Sequence, residues 1–140
     1  MSHPDLEKLL NVLLGFARDQ LSKHGDFSPF GAAVTRDGQT NLKAAYEGDE
    51  GTTQGHIDLL EEGLRAEAQA GVNVACGICV DVRVKPPSHE SFIDAVQVHL
   101  EHRNGESVDV FLPYERTTAG DFSYGTLFAT KAEPQVFQRS

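Results

Sequence analysis

A histidine facing a carboxylate is the pairing in this chain best suited to proton transfer, because the carboxylate orients the ring and holds its charged form. Alternation of apolar and polar residues predicts that His99 lies across from Asp109 on a neighbouring strand, with Glu101 next along the same face of its own strand. The plain role for this group is a solvated cross-strand ion pair, worth from a few tenths of a kcal/mol to about 1. On that reading Val98→Ala is expected to destabilise far more than Glu101→Ala. The chemical role would be that of a general base. Cys76-Gly77-Ile78-Cys79 is the other candidate, since paired thiols bind zinc or exchange electrons. Residues three apart on a strand point to opposite faces, so Cys76 and Cys79 are expected to share neither a metal nor a disulfide. No metal site and no cofactor is expected.

The elements that must position these groups form a meander from Val74 to Tyr114. Val74, Cys76, Ile78, Val80, Val82 and Val84 share one face of its first segment, Val96, Val98 and Leu100 one face of the second, and Val108, Val110 and Leu112 one face of the third. Aligning these apolar faces leaves a second, mixed face. It would carry Ala75, Gly77, Cys79, Asp81 and Arg83, then Ile93, Ala95, Gln97, His99 and Glu101, then Asp109 and Phe111. From it Cys79, Asp81, Arg83, Gln97, His99 and Phe111 are taken as the predicted binding surface.

Register follows from the turns. A three-residue loop at Arg103-Asn104-Gly105 pairs Leu100 with Val108, Val98 with Val110 and Val96 with Leu112, and sets His99 opposite Asp109 and Glu101 opposite Ser107. The same loop at Arg36-Asp37-Gly38 pairs Ala32 with Leu42 and Phe30 with Ala44, whereas a two-residue loop would mix apolar and polar positions on each face. Consecutive Pro86 and Pro87 end the first meander strand. The segment from Phe122 to Thr130 supplies a last strand at the edge.

Leu6, Leu9, Leu10, Leu13, Ala17 and Leu21 recur at three and four, which predicts a helix from about residue 4 to 23, capped by Ser2 and closed by Gly25. Ile57, Leu60, Leu64 and Ala68 predict a second helix from Thr53 to Ala70, closed by Gly71. Gly63 inside it is explained by close approach to the sheet. The fold expected is one α+β domain over residues 1–140, with a mainly antiparallel sheet of five to six strands. Its order is α-β-β-α-β-β-β and a final edge strand, with the helices packed on the sheet: both can be spent on the valine-rich face, and the alternative is that helix 1 crosses to the second face and covers it within the monomer.

Twelve Lys and Arg against 21 Asp and Glu give a formal charge of −9. That balance repels phosphate backbones and anionic membrane surfaces, and the basic residues are scattered, so neither nucleic acid nor membrane is expected as a partner. The acidic run Glu47-Gly48-Asp49-Glu50 reads as a solvated loop. No secretory leader and no spanning apolar stretch is visible, so a cytoplasmic location is expected. The second face would suit a protein partner or a second copy, and a homodimer through the Ala95, Gln97 and Phe111 side is predicted.

From Phe27 onward, a helix is followed by Phe27-Ser28-Pro29-Phe30-Gly31-Ala32-Ala33-Val34, a hairpin, a helix opening with His56-Ile57-Asp58, and Cys76-Gly77-Ile78-Cys79. This layout resembles the zinc-dependent cytidine deaminases. The resemblance implies a zinc held by His56 and the two cysteines, but that family uses Glu where this chain has Asp58 and Pro where it has Ala75. A valine-rich strand also follows Cys79 where the family begins a helix. The strings Gly77-Ile78-Cys79-Val80-Asp81-Val82-Arg83-Val84, Val98-His99-Leu100-Glu101-His102 and Val110-Phe111-Leu112-Pro113-Tyr114 resemble a group of small bacterial proteins of no assigned activity. No phosphate loop, nucleophile elbow or His-Glu-x-x-His is present. The expectation is a non-catalytic binding or association domain acting through the second face. The alternatives are an enzyme using His99 with Asp109 or Glu101, and a degenerate deaminase-like zinc enzyme.

Overall fold

The leucine stripe near the start of the chain forms α1 (Pro4–His24) in the computed structural model, which describes residues 3–44, 53–85 and 90–137. Ser2, the acidic run at 47–50 and the prolines 86 and 87 lie outside the described residues. The Asp5 amide is instead capped by His3, whose Nδ1 accepts it at 3.0 Å, and Gly25 closes the helix by donating to the Leu21 carbonyl. Leu6, Leu9, Leu13, Ala17 and Leu21 are fully buried. Five residues at helical spacing thus make one continuous apolar face. The second helix, α2 (Thr53–Gln69), buries His56, Leu60 and Leu64. Gly63 is exposed, and a Cβ added there would meet nothing within 4 Å. The expected close approach to the sheet is therefore not the reason for this glycine.

Seven strands follow the predicted alternation: β1 (Phe30–Thr35), β2 (Thr40–Ala44), β3 (Asn73–Val84), β4 (Ile93–His102), β5 (Ser107–Arg116), β6 (Phe122–Tyr124) and β7 (Phe128–Lys131). Their order is β2-β1-β3-β4-β5-β6, and β7 also pairs with β5. Each of these pairings is antiparallel. The single edge strand expected after Phe122 is in fact two short ones, β6 beside the end of β5 and β7 beside its first half.

Both hairpins take the predicted register. Ala32 pairs with Leu42 and Phe30 with Ala44, while Val98 pairs with Val110 and His99 with Asp109. Gly38 and Gly105 have φ of +90° and +104°, the left-handed position that a three-residue loop requires.

The alignment of β3 with β4 differs from expectation. Cys79 sits opposite Val98, and Ile78 opposite His99. Residues directly opposite share a face, so Val96, Val98 and Leu100 lie with Ala75, Gly77 and Cys79, whereas His99 and Gln97 lie with Ile78 and Val80. The helices divide accordingly. α1 covers the first of these faces, in a core with Phe30, Ala32, Val34, Val98 and Val110, and α2 covers the other with Ala33, Cys76, Ile78, Val80 and Val136. Gly77 lets α1 come close, because a Cβ there would lie 2.6 Å from Leu13 Cδ1. The central strand β3 is thus apolar on both sides, as a strand covered on both faces must be. No helix among the described residues is long and apolar enough to cross a membrane.

Candidate functional site

On the α2 face, β4 and β5 bring three ionisable side chains together. His99 Nδ1 is 2.7 Å from Asp109 Oδ1, and His99 Nε2 is 2.6 Å from Glu101 Oε2. The first contact crosses the β4–β5 ladder and the second spans two positions along β4, so the hairpin at Gly105 fixes both. Burial by itself would lower the His99 pKa, but the hydrogen bonds to Asp109 and Glu101 outweigh it and raise the ring to about 9. A charged imidazolium donates through both nitrogens, which is what two flanking carboxylates require.

Glu101 is the least expected member. Far from being a solvated rim residue, it is 0% exposed. Its carboxylate accepts the backbone N–H groups of Gln135 at 2.6 Å, Val136 at 2.9 Å and Phe137 at 2.9 Å, as well as His99. Burial pushes its pKa up, but the His99 bond and these amides more than offset that and hold it below the ordinary carboxylate range. Arg65 of α2 grips the same segment, donating through Nε and Nη2 to the Gln135 carbonyl at 3.1 and 2.9 Å. Val136, buried against α2 and β3, completes the docking.

The docked segment, α2 and the sheet border an open cavity of about 230 Å³. Ile57, Ile78 and Val80 form its apolar side, and Glu61, Gln97, His99, Asp109, Glu133 and Gln135 its polar side. Burial raises the Glu61 carboxyl above its ordinary pKa, with Arg65 opposing the shift. His99 has no ring nitrogen left to accept a proton from a substrate. As built, it is an anchor of the wall rather than a general base.

The predicted binding surface is divided by the β3–β4 alignment. Gln97, His99 and Phe111 share the α2 face, Gln97 directly opposite Phe111. Cys79, Asp81 and Arg83 belong to the other side of the sheet. Cys79 is buried in the α1 core, its thiol pushed well above the ordinary range by burial. Asp81 accepts the Tyr114 hydroxyl at 2.6 Å, and burial raises its carboxyl despite that bond. Arg83 is exposed and lies 3.7 Å from Asp94. The apolar patch expected to carry a dimer is dismantled as well. Ala95 is fully buried, and Phe111 stacks on Phe128 of β7 with centroids 5.0 Å apart.

Cys76 and Cys79 enter opposite cores, Cys76 with α2 and Cys79 with α1. Both lie within the regular ladder of β3 rather than at a helix start, so their sulfurs do not converge. The zinc arrangement implied by the deaminase resemblance is not assembled by these residues.

A cluster not anticipated from the sequence joins His3, Asp5 and His102, whose ligand atoms lie within 4.8 Å of one another. His102, next to the β4–β5 hairpin loop, is buried against α1. Its Nδ1 accepts the Asn104 amide and its Nε2 faces Asp5 at 3.1 Å, while His3 Nδ1 accepts the Asp5 amide. The lone pairs that a metal would need are engaged in this capping network.

No protein-family model, curated protein or solved structure matches the chain.

Proposed function

We propose that the chain is a non-catalytic binding domain whose seat is the cavity between α2, the β3–β5 surface and residues 132–135. The observation that carries this reading is the commitment of both His99 nitrogens, at 2.7 and 2.6 Å, to Asp109 and Glu101. The side chain best suited to acid–base work is thereby fixed into a wall, and a preorganised wall favours binding because little ordering is left to occur. The cavity joins an apolar side to a few convergent polar groups, the composition of small-molecule sites.

Thermal-shift measurements with a panel of small fragments, on the wild type and on Gln97→Trp, test the proposal. A ligand that binds only the folded state raises the melting temperature by mass action. Fragments that stabilise the wild type and lose their effect when the tryptophan fills the cavity are expected. An absence of stabilising fragments, or equal shifts in a folded Gln97→Trp variant, would overturn the reading.

A further inference from the structure

The polar wall of the cavity is unbalanced in hydrogen-bonding capacity. His99 uses both of its ring nitrogens on Asp109 and Glu101. The Gln135 amide is turned to the Glu133 carbonyl at 3.2 Å. Among the described residues, the side chains of Glu61, Glu133 and Gln97 have no hydrogen-bond or ion-pair partner, and only Oδ1 of Asp109 faces His99. Among the described residues, carboxylate oxygens therefore face the cavity in number, while the side-chain donors left to it are the Gln97 amide and the second N–H of the Gln135 amide.

Charge points the same way. Glu61, Asp109 and Glu133 set three carboxylates against the imidazolium of His99, whose charge the buried Glu101 already shares, and against Arg65, which acts on Glu61 but donates to the Gln135 carbonyl. An anion would meet repulsion there, and a neutral molecule could answer few of the acceptors. A group bringing several donors and a positive charge answers both. Opposite that wall, Ile57, Ile78 and Val80 offer apolar surface to a hydrocarbon stem. At about 230 Å³ the space is small, so the ligand is short.

We infer that the cavity selects a small alkylammonium compound, its charged head among Glu61, Asp109 and Glu133 and its stem against the three aliphatic side chains. This rests on the reading of the cavity as a binding seat.

Three four-carbon probes separate the two claims: butylammonium, 1-butanol and butyrate, each titrated by NMR into the isotopically labelled full chain. Butylammonium is expected to shift the Ile57, Ile78 and Gln97 signals saturably, with butanol at least tenfold weaker and butyrate without effect. Glu61→Gln, which removes a charge without breaking a hydrogen bond, is expected to weaken butylammonium about tenfold while leaving the melting temperature within a few degrees. Glu133→Gln, at an exposed position, serves as the second variant and is expected to weaken it less. Equal binding of butanol and butylammonium, or tighter binding of butyrate, would sink the cation inference and leave the binding seat standing. The same holds if fragments occupy the cavity and butylammonium does not. If no probe and no fragment reaches it, both claims fall.

Discussion

The two faces of the central sheet are closed by different physics. Under α1, aliphatic side chains from six helical positions meet valines and leucines from four strands, and stability there scales with the apolar area removed from water. Under α2 the helix buries fewer residues, and the cover is completed by residues 135–137, pinned to a buried carboxylate that also holds a charged histidine. The α1 face holds its polar groups in pairs, His102 with Asp5 and Asp81 with Tyr114, and packs closely over Gly77. The other depends on a charge network and keeps an open space beside it. A small domain thus places its rigidity and its candidate site on opposite sides of the same strands.

The sharpest way to break this contrast is Glu101→Ala. Removing it leaves an imidazolium and three amides without their acceptor, and breaking a buried pair in this way costs about 3–5 kcal/mol. Urea unfolding should rank it at least level with Val98→Ala, the reverse of what an exposed ion pair would give. A Glu101→Ala midpoint close to that of the wild type would remove the charge network from the account.

Leu13→Ala probes the other face. Leu13 is fully buried and packs over Gly77, so about 2–5 kcal/mol should be lost. That loss should be the same at pH 6 and pH 9, because no titrating group is involved; a strongly pH-dependent loss would show that the two faces are coupled.

The dependence of wild-type stability on pH is the next effect in size. His99, raised from 6.5 to about 9, contributes fully below pH 6.5 and loses that contribution as pH rises through about 9. Glu101, lowered from 4.5, contributes fully above that value and loses its share as pH falls through its depressed pKa. Both are fully present between about pH 4.5 and 6.5. Unfolding free energy should therefore fall by up to about 3 kcal/mol between pH 6.5 and the alkaline side of 9. His99→Gln should flatten the alkaline limb, and an unchanged limb in that variant would assign the titration to another group.

The smallest expected effect is a gain. Gly63 lies exposed in α2 with room for a Cβ, so Gly63→Ala should stabilise by up to about 1 kcal/mol, read as a higher melting temperature. A loss would mean that α2 needs the glycine for a reason its packing does not reveal.

Much of this organisation was legible in the sequence, and the errors have a common origin. Tight loops transmit register, so the pairings across Gly38 and Gly105 could be read residue by residue, and with them the meeting of His99 and Asp109. Between Val84 and Ile93 the sequence offers no Asn-Gly or Asp-Gly loop signal, and β3 alternates one set of apolar residues with another, Ala75 and Cys79 against Cys76, Ile78 and Val80. Neither pattern nor turn chemistry then fixes which faces coincide. A shift of one position moved Cys79, Asp81 and Arg83 away from Gln97, His99 and Phe111, and sent the helices to opposite sides. The docking of residues 135–137 left no trace in side-chain pattern, since the groups that Glu101 recognises there are backbone amides, which every residue but proline carries.

The bond between Glu101 and those amides also bears on how the chain is made. In order of synthesis, α1 and the hairpins precede the segment that Glu101 binds. Glu101 meanwhile has no amides to bind, and water must keep access to it. The α2 side can seal only once residues 135–137 have emerged, so that face closes after its strands have been made and its apolar side is open to chaperones until then.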